Sequence, residues 1–206
     1  MNISSWALGL SFAGLLMGAP VVAQEADPPL APPSCDYGAA SDDAAPELSQ
    51  FDFLIGDFTI TGRVWAGGEW GPVIESPRAR LVGRYILGGR AIQDEWYDND
   101  PGQNPKSTRG VTTRIYDPKA GEWKVSWTSA DAPVITRLRV SMENGQFTMR
   151  TVDPETPNYD AVFEREGPDR WTRTAFKTEA DGTRTNLWQA IATRIPCPQG
   201  LMGLRA

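Results

Sequence analysis

The chain has 206 residues, 40% of them hydrophobic, which is ample for one packed core and short for two. Its formal charge of -6 and pI near 4.8 separate it from nucleic-acid binders, whose affinity rests on a surplus of Lys and Arg. His is absent throughout, which excludes Ser-His-Asp hydrolases, His-ligated metalloenzymes and His-ligated haem proteins, so neither a metal nor a cofactor is expected.

Residues 1–23 read as a secretory signal: an apolar run from Trp6 to Met17, a break at Gly18 and Pro20, then Val21, Val22 and Ala23 before Gln24. Cleavage after Ala23 leaves no stable membrane insertion and places the mature chain in the periplasm or outside the cell. The run is short for a spanning helix, although the missing Lys and Arg before it leave an uncleaved anchor open. Residues 24–46 are rich in Pro, Ala and Asp and read as an extended or disordered linker. The only two cysteines, Cys35 and Cys197, flank everything that follows. In an oxidising compartment they are expected to pair and staple both tails to the domain; the alternative is two unpaired thiols, neither beside a basic cluster that would make it a thiolate.

The segment FDFLIGDFTITGRVW, residues 51–65, holds a helix, its stop signal and a strand. Leu48, Phe51, Leu54 and Ile55 recur at helical spacing, Gly56 ends the helix, and Phe58, Ile60, Gly62 and Val64 then alternate with Thr59, Thr61, Arg63 and Trp65. Beyond it, eight turn signals (66–69, 87–90, 98–105, 117–122, 143–146, 153–158, 166–169 and 179–182) delimit nine to ten short strands within a domain spanning 47–198, followed by a tail, 199–206. Trp123, Val125 and Trp127 alternate with polar residues, as do Leu138, Val140 and Met142, so each strand buries one face. A long meander without a second layer hides its edges most readily by closing on itself. The fold class expected is all-β, an antiparallel up-and-down barrel with a short N-terminal helix; a two-sheet sandwich is the alternative and requires Greek-key crossovers.

With the strands placed, Gly56, Phe58 and Gly62 resemble the Gly-x-Trp opening of lipocalin and nitrobindin-like barrels of the calycin group, with Phe58 where the pattern has Trp. FDFLIGDF, YILGGRAIQDEWY and TRIYDPKAGEWKVSW are, in order and spacing, similar to a bacterial family of lipocalin-like barrels that carries no established activity. The resemblance implies a calycin-type barrel over residues 47 to about 194. It also implies that Arg194 packs over Phe58 to close one barrel end.

Site candidates follow from the strand Arg90–Tyr97, where Ile92, Asp94 and Trp96 share one face and Gln93, Glu95 and Tyr97 the other. Periodicity alone leaves open which face is inside. A carboxylate pointing inward requires an Arg partner, for which Arg137 and Arg139 are candidates. Trp96, Trp127 and Trp188, with Tyr85 and Arg137, are the candidate ligand-binding residues, in a chain with eight Trp. The loop with Asp98 and Asp100 has Arg109 where a calcium loop needs its closing Glu, and reads as solvated. Three functions remain open: an exported protein binding a small hydrophobic or aromatic molecule in a barrel cavity; a barrel enzyme moving a proton with Glu95 or Asp94 beside Tyr97 and Arg139; and an interaction module of the envelope.

Overall fold

A computed structural model describes residues 33, 35–74, 79–98, 109–130, 132–143, 146–153 and 160–198. The signal segment 1–23, the tail 199–206 and most of the 98–105 loop lie outside the described residues. Pro46–Leu54 is a 3-10 helix. Its three-residue turn stacks Leu48, Phe51 and Leu54 along one edge, and all three are buried together with Phe53.

Eleven strands follow: β1 (Gly56–Ala66), β2 (Glu69–Trp70), β3 (Ala79–Ile86), β4 (Ala91–Asp98), β5 (Arg109–Asp117), β6 (Glu122–Ser129), β7 (Ala132–Glu143), β8 (Gln146–Asp153), β9 (Asp160–Arg165), β10 (Arg170–Thr178) and β11 (Arg184–Arg194). Each pairs antiparallel with its neighbour, and β1 meets β11 as well as β3, with Phe58 opposite Arg194 and Val64 opposite Trp188. The sheet therefore closes into a barrel of ten strands, while β2 hangs from β1 through the Trp65–Trp70 pair. Closure rules out the sandwich. All eight turn signals coincide with strand breaks; the break between Ser129 and Ala132 and the stretch 71–78 between β2 and β3 went unread. SADAP offers no glycine to mark the first of these.

The helix plugs one end of the barrel. Phe51 packs edge-on against Trp123 at 4.8 Å between ring centroids and lies 4.9 Å from Phe147, and Phe53 lies 6.0 Å from Trp171. Trp123 donates its indole N–H to Gln50 Oε1 at 3.1 Å, which ties the plug to β6. Gly83 on β3 lets the helix end settle against the sheet, since a Cβ there collides with the carbonyl oxygen of Leu54. The same end is latched by Arg194, whose guanidinium lies 4.7 Å over the Phe58 ring, donates to the Ile55 carbonyl at 2.7 Å and pairs with Asp169 at 3.0 Å. Gly56, at φ 135°, leaves room for that guanidinium.

Outside the barrel the two tails meet at the Cys35–Cys197 disulfide, whose Cα atoms are 5.7 Å apart. Beneath it lies a buried ion pair, Arg80 Nε to Asp57 Oδ1 at 2.6 Å, and the Tyr37 hydroxyl donates to Asp57 Oδ2 at 3.3 Å. Residues 35–45, expected as linker, are hydrogen-bonded to the barrel: Tyr85 N–H to the Tyr37 carbonyl at 2.8 Å, and Ser41 N–H to the Gly89 carbonyl at 3.0 Å. No helix among the described residues is long and apolar enough to cross a membrane.

Candidate functional site

The plug fills only the lower part of the barrel, and above it lies a cavity of about 480 Å³. Its position follows from the pleat: every second residue of each strand points inward, and the inward side chains change character from the plugged end to the mouth. On β5 the inward series is Arg114, Thr112, Gly110; on β4 it is Ile92, Asp94, Trp96; on β6 it is Val125, Trp127, Ser129. Among the described residues, Leu54 of the plug lies at the floor with Phe163 and Trp171, whose rings meet Phe53 of the plug, and Leu81, Leu138, Met149, Trp96, Trp127 and Trp188 contribute to the walls. Gly110 has a steric reason to be there, because a Cβ would strike the ring of Trp127 lying across it.

Three charged groups, Asp94, Arg114 and Arg173, stand in this otherwise largely apolar lining. Asp94 and Arg114, both almost completely buried, form a salt bridge through Oδ1 and Nη1. Their strands are paired so that Asp94 faces Thr112 and Ile92 faces Arg114, which makes the two charges diagonal neighbours on one face. Arg114 also lies 5.3 Å over the Phe51 ring, so the plug and the pair support one another. Its Nε has no hydrogen-bond partner among the described residues, and neither does Nε1 of Trp171, a second buried donor on the cavity lining. Higher up, Arg173 lies 5.0 Å over the Trp188 ring.

Of the residues singled out by sequence, Trp96, Trp127 and Trp188 line this cavity, joined by Asp94. The others stand elsewhere. Glu95 and Tyr97 are on the outer face, because the β3–β4 register sets Glu95 opposite Val82 and Tyr97 opposite Arg80, one pleat out of phase with the lining residues Asp94 and Trp96. Burial, and after it the Glu95 carboxylate, pushes the Tyr97 hydroxyl up, the reverse of what proton transfer near neutral pH needs. Arg137 and Arg139 are exposed on the outside of β7, alternating with the inward Thr136, Leu138 and Val140. Tyr85 is inward but sits at the plugged end, where its hydroxyl donates to Asp52 of the helix at 2.5 Å, and it does not line the cavity. Burial first, then the Asp52 hydrogen bond, raises its pKa.

Arg114 and Arg173 were missed. On β5 the β-branched residues Val111, Thr113 and Ile115 face outward, with Ile115 exposed, while Thr112 and Arg114 face in. Hydrophobic alternation therefore points the wrong way on that strand. The usable signal was a Gly inside a strand pattern, Gly110, which marks a close approach on the inner face.

No protein-family model matches the sequence. No curated protein matches it either. Solved structures similar in fold include an S-type phycobiliprotein lyase, CPES, from Guillardia theta, at 12% identity over 73% of this chain and 93% of that one with a TM-score of 0.47. Rv2717c from M. tuberculosis is similar at 12% identity over 75% of this chain and 100% of that one, with a TM-score of 0.43.

Proposed function

We propose that the protein is an exported binder of a small, largely hydrophobic or aromatic molecule held in the barrel cavity, of the lipocalin-like kind suggested by its opening residues. The observation that carries this is the cavity itself: about 480 Å³ above a plugged floor, walled by Trp96, Trp127, Trp171 and Trp188 and by aliphatic side chains. That volume lies within the range of about 300–1,000 Å³ typical of small-molecule sites, and the lining has their usual makeup of apolar walls with few polar groups. Broad indole faces favour a flat occupant. Export is supported by the apolar run Trp6–Met17 with Ala23 before Gln24, and by the Cys35–Cys197 bond, which an oxidising compartment sustains.

The enzyme reading has Asp94 as its remaining carboxylate inside the cavity, and Arg114 holds it as a salt bridge. Binding is therefore the better supported use of this site. The test is titration of the purified, oxidised protein with the neutral environment-sensitive fluorophore N-phenyl-1-naphthylamine. Saturable emission enhancement with energy transfer from Trp is expected, and Trp127→Ala or Trp188→Ala is expected to weaken it about fivefold, the equivalent of about 1 kcal/mol for an aromatic contact. Absence of any saturable signal from a folded barrel rejects the reading.

A further inference from the structure

The walls of the cavity are mostly apolar, yet two hydrogen-bond donors at its plugged end lack acceptors. We infer that the occupant is an uncharged, flat molecule that turns a carbonyl oxygen toward the floor, where the side chains of Arg114 and Trp171 supply the donors. This deepens the binding proposal and rests on it.

Charge decides the first part. Asp94, Arg114 and Arg173 are the charged residues on the described lining. Asp94 neutralises Arg114 through their salt bridge, and Arg173 has a partner of its own besides the Trp188 ring on which it stacks. The lining therefore holds no charge that waits for a counter-charge. An ionised ligand sheds its water on entering and finds nothing of opposite sign to replace it, so this balance selects an uncharged one.

Hydrogen-bond polarity decides the second part. Among the described residues, the buried side-chain polar atoms of the lining that lack a partner are Arg114 Nε and Trp171 Nε1. Guanidinium and indole N–H groups only donate. Both atoms are sealed from water, so in the empty barrel each bears a desolvation cost that an incoming acceptor removes. A hydrocarbon leaves that cost in place. A carbonyl oxygen removes it without bringing a charge, and lies in the plane of a flat molecule.

Position gives the orientation. The Arg114 guanidinium lies 5.3 Å over the Phe51 ring, and the Trp171 ring is 6.0 Å from Phe53, so both side chains rest against the plug. Strands β5 and β10 stand on opposite sides of the closed barrel, which brings the two side chains to the floor from facing walls. Along β4 the inward series runs from Ile92, the partner of Arg114, through Asp94 to Trp96. The oxygen is therefore seated low, and the apolar body extends along Trp96 between Trp127 and Trp188. Because the two N–H groups are sealed in the empty barrel, the side chains covering them part as the oxygen arrives, an induced fit.

The test is displacement of N-phenyl-1-naphthylamine at neutral pH by three flat aromatics of matched shape: 2-acetylnaphthalene, 2-isopropenylnaphthalene, in which CH2 replaces the carbonyl oxygen, and 2-naphthoate. The ketone is expected to displace the dye about fivefold more effectively than the alkene, the worth of one neutral hydrogen bond, although the alkene is the more hydrophobic of the two. The carboxylate is expected to be the weakest of the three. Two variants locate the seat: Trp171→Phe removes the indole N–H and keeps a ring in its place, and Asp94→Leu with Arg114→Met replaces the ion pair by apolar side chains of similar size. Each is expected to lower the ketone-to-alkene ratio, which cancels any change in the dye's own affinity. A ratio at or below one in the native protein, or a carboxylate that matches the ketone, overturns the inference while the cavity proposal stands. A ratio that persists in every variant that folds also overturns it, because these donors are then not the seat. If the dye itself does not bind, both proposals fall.

Discussion

Replacing Cys35 and Cys197 by serine perturbs the unfolded state more than the native one, and the structure fixes the size of the effect. The bond spans 162 residues of sequence. In the chain-entropy treatment a loop of that length removes about 5 kcal/mol of conformational freedom from the denatured ensemble at 25 °C. A domain of this size loses about 2–4 °C of Tm per kcal/mol, so the double serine variant is expected to melt about 10–20 °C lower. The local contacts do not vanish with the bond: Ile195 N–H still reaches the Asp57 carbonyl at 2.7 Å, and Arg80 still holds Asp57. The barrel should therefore keep its native near-ultraviolet Trp signature. The assay is guanidinium denaturation followed by Trp emission, comparing the oxidised protein with Cys35→Ser/Cys197→Ser. A difference below about 1 kcal/mol refutes the reasoning, since it means that the tails are already constrained in the denatured chain or loosely held in the native one.

Arg194→Met removes the hydrogen bond to Ile55, the ion pair with Asp169 and the stack on Phe58, and is expected to cost about 2–4 kcal/mol in the same denaturation assay. Gly83→Ala drives a methyl group into the Leu54 carbonyl, a backbone atom that cannot swing aside; a loss of about 1–3 kcal/mol is expected, with the plug's Phe51–Trp123 contact as the element that loosens, read by Trp emission. Tyr37, Tyr85, Tyr97 and Tyr116 all have their pKa raised above 10, in each case by burial first. The folded state thus holds these protons more tightly than the unfolded one, so the stabilisation is fully present below pH 10 and is lost as pH climbs through the higher folded values. Tyrosinate absorbance should rise at lower pH in the denatured protein than in the native one; coincident titrations contradict the assigned burial.

Much of this architecture was legible because it depends on turns and alternation, and the site was only half legible because it depends on register. Eight turn signals located the strand breaks, whereas the Arg194–Phe58 contact was implied only by the resemblance of the opening residues to a known barrel pattern; the β1–β11 register sets the two residues opposite one another. Trp96, Trp127 and Trp188 were candidates for their broad aromatic faces rather than their strand phase, and all three line the cavity. The charged pair was not. Seeing Asp94 against Arg114 requires knowing that Ile92 lies opposite Arg114, and β5 hides it by turning Val111 and Ile115 outward. The same strand-phase ambiguity led to Glu95, Tyr97, Arg137 and Arg139, which stand one residue from inward positions and therefore on the wrong face.

The inverted strand also says something about what the barrel is built to do. A solid core would set Val111 and Ile115 inward and Arg114 outward, where an arginine is easily hydrated. Instead the chain buries a guanidinium beside Asp94 and keeps a glycine, Gly110, so that Trp127 can lie along the wall. A buried ion pair is weak as a source of stability, because desolvation of both charges consumes most of the attraction. The plug, the latch and the disulfide already account for how the barrel is closed and held. The Asp94–Arg114 pair adds little that those contacts lack, except a charged donor at the floor of an aromatic cavity, and that is a property a bound molecule can use.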